Sequence, residues 1–60
     1  MEPQENQRIN LQKAINAHVE AQAALVDVID HTPDPAYAEM LRSVERNLEG
    51  LRAIAARTGP

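Results

Sequence analysis

Apolar positions recur at helical spacing in two segments of this chain, which are separated by Thr32-Pro33-Asp34-Pro35. Steps of four and three residues keep side chains on one face of a helix, so each segment predicts an amphipathic helix. In the first segment the stripe consists of Leu11, Ile15, His18, Gln22, Leu25 and Ile29. In the second it consists of Tyr37, Leu41, Val44, Leu48, Leu51 and Ala55.

Prolines between the stripes predict where the helices end and begin. Pro33 ends the first helix, because the residue before a proline is disfavoured in the α conformation. Thr32 or Asp34 then caps the second helix, with Pro33 or Pro35 at its first position. We therefore predict one domain over 1–60, with helices at about 4–31 and 35–57 and a turn at 32–35. Helices of similar length joined by a short connection predict an all-α, antiparallel two-helix hairpin.

The small size of the chain predicts self-association. A chain of 60 residues buries only about 60% of its unfolded surface, and disulfides, metals or partner subunits usually supply the missing stability. The sequence has no cysteine and a single aromatic residue, Tyr37, so its core is aliphatic and has no disulfide. The apolar arc of the first helix also covers about half its circumference, more than one neighbouring helix can cover. We predict that two hairpins dimerise into a four-helix bundle, with the two stripes forming the core and the dimer interface.

A second line of residues on helix 2 predicts a further helix contact. Ala36, Ser43 and Gly50 repeat every seven residues beside Met40, Asn47 and Ile54. Glycine inside a helix costs about 1 kcal/mol relative to alanine, so its presence favours a close approach by another helix. Ser43 and Gly50 are therefore candidates for close helix contact, and the alternative is a tolerated surface glycine. The flank of helix 1 formed by Ala14, Ala21 and Val28 independently predicts a second neighbour.

Two polar residues interrupt the apolar stripe of helix 1. His18 and Gln22 lie one turn apart near its middle, where burial without partners would cost about 1–3 kcal/mol each. We expect them to bond to each other, to a symmetry mate or to water. One interpretation is a polar layer that fixes register and oligomeric state. A second is a ligand-binding or pH-sensing site in which His18 titrates, and a third is simple exposure at a loose bundle.

Polar residues outside the stripes are candidates for binding a partner protein. The start of helix 1 is rich in amides, which both donate and accept hydrogen bonds, and Ile9 lies there off the main stripe. On helix 2, Glu and Arg alternate at spacings that allow local pairs, which favours a solvated face. The candidate residues for partner binding are Asn6, Arg8, Ile9, Asn10, Lys13, Arg42, Arg46 and Glu49. The alternative for the start of helix 1 is a frayed, solvated end.

Charge and motif content exclude several classes of function. The net charge of −3 does not favour binding to nucleic acids or anionic membranes. We find no catalytic motif, metal site, cofactor motif or membrane span, so we expect a non-enzymatic cytoplasmic protein without cofactors. His31 follows Asp30 at the end of helix 1, where a cation is favoured, and we assign it to capping rather than to metal binding.

In architecture, the predicted bundle resembles the plasmid repressor-of-primer family, whose short hairpins dimerise into four-helix bundles that hold RNA loops. The likeness covers the whole chain as architecture and includes no shared motif. It implies an RNA-binding regulator as an alternative function. The leading prediction is a small regulatory or adaptor protein that binds another protein as a homodimeric helical bundle. A third possibility is an oligomerisation module of a larger chain.

Overall fold

The computed structural model describes the backbone of residues 3–58 and the side chains of residues 6–57. It contains two helices, α1 (Pro3–His31) and α2 (Pro35–Thr58), and no strand in the described range. The helices pack against each other in antiparallel orientation, since Gln22 contacts Glu45 while His18, earlier in α1, lies beside the later residues Gly50 and Ile54. The all-α hairpin predicted from the sequence is thereby confirmed. Its dimerisation into a four-helix bundle stays a prediction.

The turn between the helices uses Asp34 as the cap of α2. Its Oδ1 atom accepts a hydrogen bond from the backbone N–H of Ala36 at 2.9 Å, and its carbonyl accepts one from Tyr37 at 3.0 Å. Pro35 therefore occupies the first helical position, where a missing N–H costs nothing. Thr32 instead completes the end of α1, because its N–H donates to the carbonyl of Val28 at 2.7 Å.

The contact between the helices is shallow. Among the described side chains only Leu48 is buried, with 3% of its surface exposed. The other stripe residues are partly buried: Leu11, Ile15, His18, Gln22, Leu25, Ile29, Tyr37, Leu41, Val44, Leu51 and Ala55. A single layer of side chains between two helices leaves their outer sides in water, so most of the stripe is only partly covered.

The two flanks of the α1 stripe are not equivalent. Ala14, Ala21 and Val28 are partly buried, whereas Val19 and Val26 are 40% and 45% exposed. The helix is thus rotated so that its alanine-rich flank takes part in the hairpin contact. The flank that the sequence predicts for a second neighbour is thus already partly covered by α2, because small side chains let α1 lie close to it. Neither helix, over the described residues, is apolar for long enough to cross a membrane.

Candidate protein-interaction surfaces

His18 and Gln22 find their hydrogen-bond partners separately. His18 Nδ1 donates to the carbonyl of Ala14 in its own helix at 2.7 Å. Gln22 Nε2 donates to the carboxylate of Glu45 in α2 at 3.4 Å, a long and therefore weak bond. These hydrogen bonds are made to Ala14 and Glu45, neither of which is among the partners expected from the sequence, namely each other, a symmetry mate or water. No buried side-chain polar atom lacks a partner in the described part of the chain, so this polar layer avoids the desolvation penalty.

Beside His18 the surface of the hairpin forms a depression of about 400 Å³. Its lining comes mainly from α2 and consists of His18, Arg46, Asn47, Gly50, Leu51 and Ile54. A single imidazole and a single guanidinium do not make an acid–base or nucleophilic pair. Among the described residues there is also no group of three His, Cys, Asp or Glu side chains that could hold a metal ion. The depression is therefore an open, mostly α2-lined hollow on the side of the hairpin where His18 lies.

Ser43 and Gly50 lie exposed on α2, and Gly50 lines this depression. A Cβ atom built on Gly50 would meet nothing within 4 Å. The hairpin itself therefore does not need a glycine at this position. The close contact with another helix that the sequence predicts for Ser43 and Gly50 stays a prediction.

The candidate residues at the start of α1 are all exposed: Asn6, Arg8, Ile9, Asn10 and Lys13. Ile9 is 48% exposed and lies among polar residues in the sequence. Further along the amide-rich stretch, Gln12 Nε2 donates to Asn16 Oδ1 at 3.0 Å, so each of these two amides has one hydrogen bond within the helix.

The candidate residues on α2, Arg42, Arg46 and Glu49, are also exposed. Arg46 donates to the hydroxyl of Ser43 at 3.4 Å. The local Glu–Arg pairs expected from the spacing are not formed by the described side chains of this helix. Exposed pairs of long side chains gain little over their hydration, so their absence is physically unsurprising.

The two candidate groups lie at different levels along the hairpin. Because Gln22 contacts Glu45, Arg46 is level with Ala21 of α1. Arg8 is thirteen residues earlier in α1, which corresponds to about 20 Å along the hairpin axis. By the same register Glu49 is level with His18, so it lies about 7.5 Å along the axis from Lys13.

His31 caps the end of α1 through its Nδ1 atom. The ring donates to the carbonyl of Asp27 at 2.8 Å, and Nδ1 lies 3.7 Å from the Asp27 carboxylate. This contact holds the ring against the last turn of α1, where histidine side chains often donate to backbone carbonyls.

Sequence reasoning did not single out the exposed valines of α1 as a surface. Val19 and Val26 belong to the apolar arc, and their spacing does not distinguish them from the buried flank. The only signal was the width of the arc, which exceeds what one neighbouring helix covers. A second apolar surface was therefore foreseeable, but its side of the helix was not.

No protein-family model, curated protein sequence or solved structure matches this chain at a significant level. The functional interpretation therefore rests on the geometry described above.

Proposed function

We propose that this chain is a small, non-enzymatic regulatory or adaptor protein of the cytoplasm that binds another protein as a homodimeric helical bundle. One observation carries the proposal. The described hairpin buries only Leu48, while five large apolar side chains are 40–52% exposed. These five are Ile9, Val19, Val26, Met40 and Ile54. Val19 and Val26 share one flank of α1, and Met40 and Ile54 share one side of α2, so four of the five are grouped rather than scattered, which supports association with other proteins.

The exposed area supports self-association. The chain exposes 4772 Å², whereas a compact monomer of 6.6 kDa would expose about 3,900 Å². The difference of about 900 Å² is close to the roughly 800 Å² that each partner contributes to an interface of standard size. One hairpin–hairpin interface would thus bring the exposed area to the value expected for a compact protein.

The start of α1 supports binding of a different protein. Exposed Ile9 supplies an apolar contact, while the neighbouring side chains of Asn6 and Asn10 supply hydrogen-bond donors and acceptors. An apolar centre with a polar rim is the usual composition of a protein–protein interface.

Sedimentation equilibrium over a wide concentration range tests the homodimer. We expect the mass of a dimer at micromolar concentrations and a helical circular-dichroism spectrum. A monomer at all concentrations would contradict the homodimeric part of the proposal.

Affinity capture with purified variants tests the partner-binding part. Ile9→Asp is expected to abolish capture of a partner that the wild-type chain retains, with the helix content unchanged. Ala23→Asp is the matched control, because it adds the same charge to an exposed position of the same helix. Equal loss of binding in both variants would contradict a docking function for Ile9.

A second candidate, an RNA-binding regulator, is favoured by one observation. Arg42 and Arg46 are exposed and form no ion pair with the acids of α2 in the described range, so both can contact phosphates. Binding to an RNA hairpin should then weaken steeply as salt is added, and Arg42→Ala and Arg46→Ala should each reduce the salt dependence. Affinity indifferent to salt would exclude this function.

A further inference from the structure

We propose that a second copy of this chain docks on one particular side of the hairpin, with a two-fold axis passing midway between Ser43 and Gly50. This inference rests on the homodimer proposed above and specifies its interface. We call this side the groove face. It consists of Ala17, Ala24, Met40, Ser43, Asn47, Gly50 and Ile54, all of which are exposed.

The α2 residues of the groove face share one side of their helix. From Met40 to Ile54 they follow steps of three and four residues, which places them in adjacent rows. Asn47, Gly50 and Ile54 line the depression together with His18 of α1, so this side of α2 opens beside α1.

The two alanines of α1 lie on the same side of the hairpin. Gln22 contacts Glu45 at one edge of the helix pair, and Val19 and Val26 are the helical neighbours of Gln22 on that edge. Ala17 and Ala24 follow the opposite flank of the α1 stripe. They therefore border the edge at which His18 meets Gly50.

The register of the hairpin aligns the small residues of both helices. Since Gln22 is level with Glu45 in an antiparallel pair, Ala17 is level with Gly50 and Ala24 is level with Ser43. These two levels are seven residues apart, or about 10.5 Å. The midpoint between Ala17 and Ala24 on α1 is thus at the same level along the hairpin axis as the midpoint between Ser43 and Gly50 on α2.

We place the two-fold axis at this shared level, in the plane of the groove face and perpendicular to the helices. The face is then complementary to itself. In such an interface, if residue i of one copy contacts residue j of the other, then residue j of the first copy contacts residue i of the second. Here Ser43 meets Gly50 of the second copy, and Ala17 meets its Ala24. Met40 comes within one residue of the level of Ile54 of the second copy, and Asn47 meets Asn47 beside the axis.

This arrangement gives each unusual residue of the face a function. Gly50 and Ser43 let two α2 helices approach closely, which explains a glycine that the isolated hairpin does not need. Met40, 52% exposed in one chain, lies over the depression of the other, where a flexible thioether side chain can fill an irregular space. The two Asn47 amides can bond to each other and fix the register, as a polar residue does at a helix interface.

Cysteine cross-linking tests the position of the axis, because the natural chain contains no cysteine. With an added oxidant, Asn47→Cys is expected to form a disulfide-linked dimer in high yield, since the two residues meet near the axis. Val19→Cys is the matched control on the opposite edge, and it is expected to remain uncross-linked. Cross-linking of Val19→Cys in preference to Asn47→Cys would overturn the proposal, as would a sedimenting dimer in which neither variant cross-links.

A second pair of variants tests the close approach without a covalent bond. Gly50→Arg is expected to raise the dimer dissociation constant at least tenfold, while Ala53→Arg, on the outer side of the same helix, leaves it within twofold. Both variants should keep their helix content, because a Cβ atom at Gly50 meets nothing within 4 Å and Ala53 is exposed. A dimer unaffected by Gly50→Arg would overturn the groove face, whereas a wild-type monomer would overturn the proposed homodimer itself.

Discussion

Gln22 of α1 donates a hydrogen bond to Glu45 of α2 at 3.4 Å, and this contact links the middles of the two helices. It establishes the antiparallel register and marks the edge of the hairpin on which the exposed valines lie. The bond joins a partly buried amide to an exposed carboxylate, so water competes for the acceptor. The contact therefore shows which residues of the two helices are level with each other, but it contributes little to the free energy of unfolding.

Replacing Gln22 with leucine should stabilise the protein. The stripe gains apolar surface at a partly buried position, and the weak bond to Glu45 is lost, for a net gain of about 1 kcal/mol. Urea denaturation at a fixed protein concentration measures this change. Glu45→Ala is the control for the lost bond and should alter the free energy of unfolding by less than about 0.5 kcal/mol. Destabilisation by Gln22→Leu would show that the amide contact is stronger than its length indicates.

Truncating Leu48 should be the most damaging apolar substitution. Leu48 is the buried side chain of the described hairpin, and Leu→Ala at such a site costs about 2–5 kcal/mol. For a domain of this size that loss is expected to abolish the folded state at 25 °C, as seen by circular dichroism. Ile9→Ala, on an exposed position, should cost less than about 0.5 kcal/mol. Similar losses from both substitutions would contradict the burial pattern.

Removing the side-chain cap of α2 should lower the free energy of unfolding, and of the two candidate caps only Asp34 should show this effect. Asp34→Ala deletes the acceptor for the Ala36 N–H and is expected to cost about 1 kcal/mol. Thr32→Ala should have little effect, because it is the backbone N–H of Thr32 that bonds to Val28. Thermal unfolding of the two variants compares them directly. A larger loss from Thr32→Ala would indicate that the other capping arrangement is used in solution.

Substituting His18 tests whether the polar layer determines assembly. His18 bonds to the carbonyl of Ala14 in its own helix, so the hydrogen bond that His18→Leu removes does not join the two helices. We expect the variant to stay folded and to gain about 1 kcal/mol from the added apolar surface. Its mass by sedimentation, compared with that of the wild type, reports whether His18 also specifies the oligomeric state. A loss of helix content would show that the hydrogen bond from the His18 ring to Ala14 stabilises α1.

Several features could be predicted from local sequence, since each depends on neighbouring residues in the chain. The stripe spacing predicts both helices, and the Pro33–Pro35 segment predicts the turn, because prolines restrict their own backbone and the residue before them. For the residue that caps the start of α2, the sequence left two candidates, Thr32 and Asp34. Both residues have a side-chain oxygen next to a proline, and the geometry of the turn decides which one reaches the first N–H groups of α2.

The sequence by itself determined that this chain is two amphipathic helices joined by a short turn, since the periodicity of apolar residues and the backbone restriction of proline are local properties. The tertiary structure decided which flank of α1 faces α2, because that depends on how closely two particular surfaces can pack. Alanines allow a closer approach than valines, so Ala14 and Ala21 turn towards α2 and Val19 and Val26 towards solvent. The same rotation places Ala17 and Ala24 on the opposite side from the valines, and the antiparallel register brings them level with Gly50 and Ser43.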